Sequence, residues 1–179
     1  MEHTSNEQGQ LAAVQQRIED LRVHLSEHPG PQADAPVHEW FAFLASIKAI
    51  VGNASNDASL LACLMAKHWL CRELPMQPFD VAFKPQGAPG LDIDAKTIDG
   101  ERVVGEIKTT TPYHGHDLGA AQKLTFVKDF RKLEEAVAVH KFFFVTDEAT
   151  FDVVQRRYLD QLPGSTVVLL EGRDESNTA

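Results

Sequence analysis

The chain of 179 residues is long enough for one well-packed domain but short for two, and 43% apolar residues suffice to build a core. Its net charge of −9 argues against a generic nucleic-acid-binding protein, which usually carries a basic surface. Most of that charge lies at the two ends: residues 1–40 hold seven acids against two arginines, and residues 171–179 hold three acids against one arginine. The central part of the chain is therefore close to neutral.

No stretch of the sequence is a candidate membrane span, because its longest apolar runs, such as residues 141–145, are far shorter than a bilayer requires. The first residues are polar and acidic and do not resemble a secretion signal, so we expect an intracellular, cytoplasmic protein with no membrane partner. Cys63 and Cys71 lie in a helical apolar pattern and form no Cys-x-x-Cys pair, so the sequence predicts buried thiols and no zinc site.

The first part of the chain is predicted to be helical. Residues 1–9 are expected to be disordered, and residues 10–28 carry one narrow apolar stripe typical of an amphipathic helix. With the Pro-rich linker that follows, residues 1–36 form a flexible start with a peripheral arm, which packs on the body of the protein or on the second subunit of a homodimer. Residues 37–51 predict a strongly apolar helix, and another runs from Asp57, its expected N-cap, to residue 74.

The rest of the chain is predicted to contain strands and helices in alternation. These elements are a strand at 79–83, hairpin strands at 91–97 and 102–109, a helix at 120–139, a strand at 140–146, a helix at 148–162 and a strand at 166–170. A strand, a helix and a buried strand in succession predict a parallel crossover, and the preceding hairpin makes the sheet mixed, with helices on both faces. We therefore expect an α/β fold in one domain at residues 37–171, followed by a disordered tail at 172–179.

Three acids and a lysine lie on the predicted hairpin. Asp92 and Asp94 alternate with apolar residues on the first strand, and Glu106 and Lys108 share one face of the second. A two-residue turn would point the aspartates away from Glu106. A three-residue loop, with Gly100 in the left-handed conformation, would instead place Asp92 opposite Glu106, with Cβ atoms within about 5 Å. Two carboxylates this close repel each other unless a cation lies between them, and Mg²⁺ suits such a pair.

The hairpin and the order of the elements resemble a known nuclease family. A strand aspartate, a hairpin and then Glu106-Ile107-Lys108 is similar to the motif of the PD-(D/E)xK nuclease superfamily, which has the restriction-endonuclease-like fold. Residues 57–146 follow the α-β-β-β-α-β order of that fold. The resemblance implies that one of the two hairpin aspartates binds Mg²⁺ (or Mn²⁺) together with Glu106 and Ile107. It also implies that Lys108 orients or activates the attacking water.

Three points remain open on the sequence. The triplet at 94–96, with Asp80 as the earlier acid, is a second possible motif, although a hairpin and not a helix follows it. Leu91 replaces the proline that the family has before its aspartate, so the sequence does not choose between Asp92 and Asp94. Finally, the hairpin charges could form a solvated, salt-bridged sheet face, which is a common arrangement on protein surfaces.

Candidate substrate contacts lie next to the motif. A polar loop at 110–119 follows the second hairpin strand, and loops beside rigid elements often carry binding groups. The candidate substrate-binding residues, which could contact phosphate or base, are Thr109, Thr110, His114, Gln122 and Lys123. Lys123, Lys128, Arg131 and Lys132 form the clearest basic cluster of the chain, which is either a nucleic-acid contact or a solvated helix face.

These features favour a Mg²⁺-dependent endonuclease that hydrolyses DNA phosphodiester bonds, of restriction or repair type, as a homodimer. Activity is expected to depend on Glu106 and Lys108. The alternatives are a non-catalytic interaction protein on the same fold and a metal nuclease that acts on RNA or on branched nucleic acid.

Overall fold

The computed structural model describes residues 2–83, 89–113 and 117–170. The helices and strands are, in chain order, α1 (Ser5–Glu27), α2 (Val37–Val51), α3 (Ala54–Glu73), β1 (Ile93–Lys96), β2 (Arg102–Lys108), α4 (Ala120–Glu135), β3 (His140–Val145), α5 (Glu148–Arg157) and β4 (Thr166–Leu169). The chain divides into two units, Glu2–Asp57 and the part that begins at Ala58. The first unit thus contains α2 as well as the predicted arm. No helix among the described residues is both long enough and apolar enough to cross a membrane.

Helix α1 begins earlier than the sequence pattern indicated. The hydroxyl of Thr4 accepts a hydrogen bond from the backbone N–H of Glu7 (3.2 Å), and the carboxylate of Glu7 accepts one from the N–H of Thr4 (3.0 Å). This capping box satisfies two of the N–H groups that a helix start leaves without partners. The prediction of disorder for residues 1–9 is therefore wrong from Ser5 onward.

Helix α3 also begins before its predicted N-cap. It starts at Ala54, so Asp57 lies in its first turn and does not cap it. The carboxylate of Asp57 instead accepts two hydrogen bonds from the guanidinium of Arg17, at 2.5 and 3.1 Å. In the buried face of α3, Cys63 is buried and Cys71 is half-buried, and neither forms a disulfide.

The four strands form one mixed sheet in the order β1-β2-β3-β4, with β1 and β2 antiparallel and the other two pairs parallel. Helix α3 lies on one face, where Trp69 packs edge-on against Phe142 and Phe144. Helices α4 and α5 lie on the other face, where Phe130 packs on Phe143 and on Tyr158. The predicted α/β class, the parallel crossover and the helices on both faces are confirmed.

The predicted strand at 79–83 is wrong. These residues form a turn, because the carboxylate of Asp80 accepts a hydrogen bond from the N–H of Ala82 (2.8 Å) and so competes with strand pairing. The chain pairs with the free edge of the hairpin slightly earlier, through an antiparallel bridge between Met76 and Thr97. From α3 onward the order of the described helices and strands is therefore α-β-β-α-β-α-β, with this bridge in place of a first strand.

Several boundaries also differ from their predictions. Helix α4 ends at Glu135 and not at residue 139, because Ala136 is extended; Val137 is then exposed, whereas Ala136 and Ala138 pack against the core. Its buried apolar stripe consists of Phe126, Phe130 and Leu133, whereas Leu124 is exposed. Helix α5 ends at Arg157 and is followed by a short 3-10 helix. The predicted disordered tail lies outside the described residues.

The hairpin turn has the predicted three-residue loop. Thr97 pairs with Glu101, whose carbonyl accepts a hydrogen bond from the N–H of Thr97 (2.9 Å), and Ile98, Asp99 and Gly100 form the loop. Gly100 has φ of +85°, in the left-handed region that only glycine adopts without strain. The register of β1 on β2 therefore depends on this residue.

We expect Gly100→Ala to lower the free energy of unfolding by about 1 kcal/mol, since a β-carbon strains this backbone conformation. Open space surrounds the position, so steric contact adds nothing to the cost. Gly100→Asn is the matched control, because asparagine tolerates the left-handed region best among the other residues. Urea titration of the three proteins tests this, and equal stability of the alanine and asparagine variants would contradict it.

Candidate active site

Asp92 and Glu106 face each other across the hairpin. Ile93 pairs with Gly105 in the antiparallel register, so the residue before Ile93 lies opposite Glu106. This is the register that the predicted facing of Asp92 and Glu106 requires, and Asp92 itself lies one residue before β1. One carboxylate oxygen of Asp92 accepts a hydrogen bond from the backbone N–H of Ile107 (2.9 Å), which holds the aspartate against the edge of β2.

Glu106 is almost completely buried. It lies in the middle of β2, which pairs with β1 on one side and with β3 on the other. Its Oε1 accepts a hydrogen bond from Nζ of Lys132, 3.0 Å away on α4. A buried carboxylate in the centre of a sheet is costly unless it is paired or used, so its environment decides its charge.

Asp129 joins this site and was not predicted from the sequence. It is buried on the inner face of α4, and its two carboxylate oxygens contact the ammonium groups of Lys108 and Lys132, the second at 2.8 Å. The ammonium of Lys108 also lies over the ring of Phe126, 5.5 Å from its centre. The sequence does contain an indication of its burial. Asp129 stands next to Phe130 and three residues after Phe126, so it lies on the same helix face as these buried rings.

Asp92, Glu106, Lys108, Asp129 and Lys132 together form what we call the carboxylate–lysine cluster. Burial, reinforced by the negative charges of Asp92 and Asp129, raises the pKa of Glu106 to about 8, although Lys132 opposes the shift. The composition of the cluster adds to the effect of burial, because three acids meet only two lysines. A cation bound beside Glu106 would therefore favour its ionised form.

The other charges of the cluster are stabilised by their partners. Burial alone would raise the pKa of Asp129, but hydrogen bonds from Lys108 and Lys132 lower it below its usual value. Burial would lower the pKa of Lys132, but its hydrogen bonds to Asp129 and Glu106 raise it. Asp129 and Lys132 thus stay ionised near neutral pH, and Glu106 is the member that holds a proton.

Asp94 is engaged elsewhere. Its two carboxylate oxygens accept hydrogen bonds from the guanidinium of Arg102, at 2.8 and 2.9 Å, and Arg102 also donates to the carbonyl of Val137 (3.1 Å). This exposed ion pair, chiefly its hydrogen bonds, raises the pKa of Arg102. The rival triplet at 94–96 therefore has its acid paired to an arginine, and its proposed partner Asp80 serves the turn before the hairpin.

Gln122, a predicted substrate contact, organises the start of α4. Its side-chain oxygen accepts hydrogen bonds from the N–H groups of Gly119 (2.8 Å) and Tyr113 (3.3 Å). Its side-chain nitrogen donates to the carbonyl of Thr111, 2.8 Å away. The side chain therefore connects the loop after β2 to the helix.

Lys123 is paired with Asp117 at 2.8 Å. The same carboxylate accepts hydrogen bonds from Arg157 and Tyr158, each at 3.1 Å. These contacts, led by the hydrogen bond from Lys123, lower the pKa of Asp117 to about 2. Lys123 thus belongs to an exposed charged group at the start of α4.

The loop candidates lie just beyond the end of β2. Thr109 is exposed, and the carbonyl of Thr110 accepts a hydrogen bond from the hydroxyl of Thr150 (2.6 Å). His114 lies outside the described residues. The structure therefore places Thr109 and Thr110 at the end of the strand that carries Glu106 and Lys108.

A groove of about 350 Å³ runs along α4 and is lined by Leu124, Val127, Lys128, Arg131, Lys132 and Glu135. Lys132 belongs both to this groove and to the carboxylate–lysine cluster. Lys128 and Arg131 are exposed. The groove thus carries three cationic side chains and leads to the buried carboxylates.

The donor chemistry of the cluster fits a divalent cation. Across the described ranges, no three or more His, Cys, Asp or Glu side chains are grouped as a ready set of metal ligands. Mg²⁺, however, needs only one or two carboxylates and takes its other ligands from water and phosphate. Glu106 on β2 and Asp92, one residue before β1, supply such a pair, and burial together with the charges of Asp92 and Asp129 raises the pKa of Glu106.

No protein-family model, curated protein or solved structure matches this chain. The geometry of the site is therefore the basis for its chemistry. Asp92 and Glu106 face each other, Lys108 lies two residues after Glu106 on the same strand face, and the basic groove shares Lys132 with this cluster.

Proposed function

We propose that the protein is a Mg²⁺-dependent endonuclease that hydrolyses DNA phosphodiester bonds. The observation that carries the proposal is the facing of Asp92 and Glu106 across the hairpin, with Lys108 on the same face of β2. Because side chains two residues apart on a strand point to the same side, Lys108 lies next to the carboxylate pair. This is the arrangement that the Glu-Ile-Lys motif implies.

The fold supports a restriction-endonuclease-like architecture. The order α3, β1, β2, α4 and β3 places a hairpin before a parallel crossover, and the bridge at Met76 takes the position of a first strand. The two central strands of the sheet, β2 and β3, are parallel. Glu106 thus lies on the sheet, Asp129 on α4 and Asp92 directly before β1, so the acids are carried by or border rigid elements, as a preorganised catalytic site requires.

In this proposal Asp92 and Glu106 would hold the cation, which lowers the pKa of bound water and stabilises the charge that develops on phosphate. Glu106 must release its proton before it can bind the cation. Because its pKa is raised, that release depends on pH near neutrality. The carboxylate of Asp129 contacts the ammonium of Lys108, which lies over the ring of Phe126, so this ammonium is positioned to stabilise negative charge without reorganisation. Lys132, at the end of the basic groove, would orient a phosphate.

The groove along α4 supports a nucleic-acid substrate. Lys128 and Arg131 extend from the cluster along one face of the helix, and basic side chains of this kind bind phosphates without reading sequence. The net negative charge of the chain does not prevent this, because most of it lies in residues 1–40 (net −5) and 171–179 (net −2).

A second candidate function is favoured by the ion pairs of the cluster. Lys108 and Lys132 both contact Asp129, and Lys132 also contacts Glu106, so the lysines already compensate much of the carboxylate charge. A buried network that is satisfied internally can serve the fold alone. In that case the protein is a non-catalytic interaction protein that keeps the nuclease architecture.

The two candidates are separated by assaying the wild-type protein on supercoiled plasmid, on single-stranded RNA and on a branched DNA junction. Each substrate is incubated with Mg²⁺, with Mn²⁺ and with a chelator, at pH 7 and pH 8.5. We expect nicking and linearisation of the plasmid with metal only, and faster at the higher pH. Cleavage of RNA alone would replace DNA as the substrate, and cleavage of the junction alone would restrict the substrate to branched DNA. No cleavage of any substrate would favour the interaction protein.

A further inference from the structure

Within the unit Glu2–Asp57, helix α2 has an apolar face that α1 does not cover. It is strongly apolar in composition, yet none of its 15 residues is buried. Val37, Trp40, Phe41 and Leu44 are exposed to 84%, 37%, 75% and 58%. Soluble monomers rarely leave so many large apolar side chains together in water, so such a surface indicates a binding site.

The exposed residues are separate from those that contact α1. Helix α1 lies against the other side of α2, where the ring of His24 stacks on Phe43 and its Nε2 lies 2.8 Å from the hydroxyl of Ser46. Ile47 and Ile50 on α2 are half-buried. Helix α2 therefore has two apolar stripes, and α1 accounts for only one of them.

The uncovered stripe has the spacing of a helix–helix seam. Val37, Phe41, Leu44, Lys48 and Val51 recur at alternating intervals of four and three residues. This is the pattern by which two helices pack along their length, with the side chains of each filling the holes of the other. The stripe therefore fits another helix better than it fits a small molecule or an extended peptide.

We propose that the uncovered stripe of α2 is the interface between two copies of this chain, paired antiparallel about a two-fold axis between Phe41 and Leu44. In that arrangement Phe41 of each copy packs against Leu44 of the other, and Lys48 lies beside Val37. The acidic entry into α2, with Asp34 and Glu39, then meets the basic end of the partner helix. The same patch is used by both copies, as a two-fold interface requires.

The available area agrees with a dimer. Taking about 150–250 Å² for a large side chain, the four exposed apolar residues of α2 offer roughly 450 Å² per copy. A stable interface buries about 800 Å² per partner, including its polar rim. The apolar stripe thus supplies more than half of that area, and the exposed polar side chains beside it, such as Lys48 and Glu39, would supply the rest.

The proposal is tested by measuring the mass of the full-length protein by analytical ultracentrifugation over a range of concentrations. We expect a dimer for the wild type, and a monomer for Phe41→Glu with a dissociation constant raised at least about 100-fold, because it buries a charge at the centre of the seam. Val137→Glu is the matched control, since Val137 is also exposed but lies outside α2. Circular dichroism verifies that each variant is folded.

A second pair of variants tests the antiparallel arrangement. Lys48→Glu should weaken the dimer severalfold, because it places an acid against the acidic entry of the partner helix, whereas Lys128→Glu, the same charge change on α4, should leave it unchanged. A monomeric wild type, or a dimer that survives Phe41→Glu, would overturn the interface. A dimer unaffected by Lys48→Glu would overturn the antiparallel pairing.

Discussion

Glu106→Gln should reduce metal-dependent cleavage of plasmid DNA by about 10³-fold or more. The substitution keeps the shape of the side chain and its hydrogen bond from Lys132 but removes the charge that faces Asp92. A neutral amide is a poor ligand for Mg²⁺, and the loss of one preorganised charge at a reacting phosphate has effects of this size. The rate of nicking of supercoiled plasmid at pH 8.5 measures the effect.

The matched control is Glu101→Gln, which makes the same change on the same hairpin. Glu101 is exposed and pairs with His140 at 2.9 Å, away from the carboxylate–lysine cluster. It should leave the cleavage rate within a factor of about two, as surface ion pairs contribute little. Lys108→Ala should lose activity as Glu106→Gln does, whereas Lys96→Ala on the exposed face of β1 should not. Wild-type rates in Glu106→Gln would exclude Glu106 from the chemistry.

The free energy of unfolding should fall as pH rises toward 8, because Glu106 loses its proton. The Glu106→Gln variant should lack the part of this fall that Glu106 causes. The folded state raises the pKa of Glu106 from 4.5 to about 8 through burial and through Asp92 and Asp129. Folding therefore binds a proton, and the stability that this proton provides is complete below about pH 4.5 and is lost as pH rises through about 8.

The size of this effect is measured as a difference between two proteins, because other groups titrate in both. Urea titrations of wild type and Glu106→Gln at pH 5.5, 7 and 9 give the free energy of unfolding at each pH. We expect the variant to gain about 3 kcal/mol relative to the wild type between pH 5.5 and 9. A difference that does not change with pH would contradict the buried, proton-holding Glu106.

Much of the fold follows from local chemistry that the sequence displays. The Asp-Gly turn and the alternation around it predict the hairpin and its register, because Gly100 permits a three-residue loop and the facing of Asp92 and Glu106 then follows from counting. The crossover through α4 to β3 is equally direct, since a strand, a helix and a buried apolar strand have one common arrangement.

The predictions that were wrong also have local physical causes. The strand predicted at 79–83 alternates correctly, but Asp80 makes a local turn instead, a competition that periodicity does not describe. The start of α1 can be predicted from the sequence, since Thr4 and Glu7 have the spacing of a capping box. The apolar stripe of this helix begins several residues later, so a prediction from the stripe alone gives too late a start.

Asp129 shows which part of the site cannot be predicted from the sequence. Apolar residues occur on more than one side of α4, so spacing allows a stripe through Leu124 and Val127 as well as one through Phe126 and Phe130. Only packing against Phe143 selects the second stripe, and Asp129 becomes buried with it. The contacts of Lys108 therefore depend on tertiary packing that the sequence motif does not contain.

Binding of Mn²⁺ at pH 8.5, measured by electron paramagnetic resonance on the full-length protein, tests the central claim most directly. We predict one bound ion per chain in the wild type and in Glu101→Gln, and loss of that ion in Asp92→Asn and in Glu106→Gln. The readout does not require a substrate, so it separates the metal site from the identity of the nucleic acid. Absence of bound Mn²⁺ in the wild type, or its retention in Glu106→Gln, would contradict a metal site at the facing carboxylates.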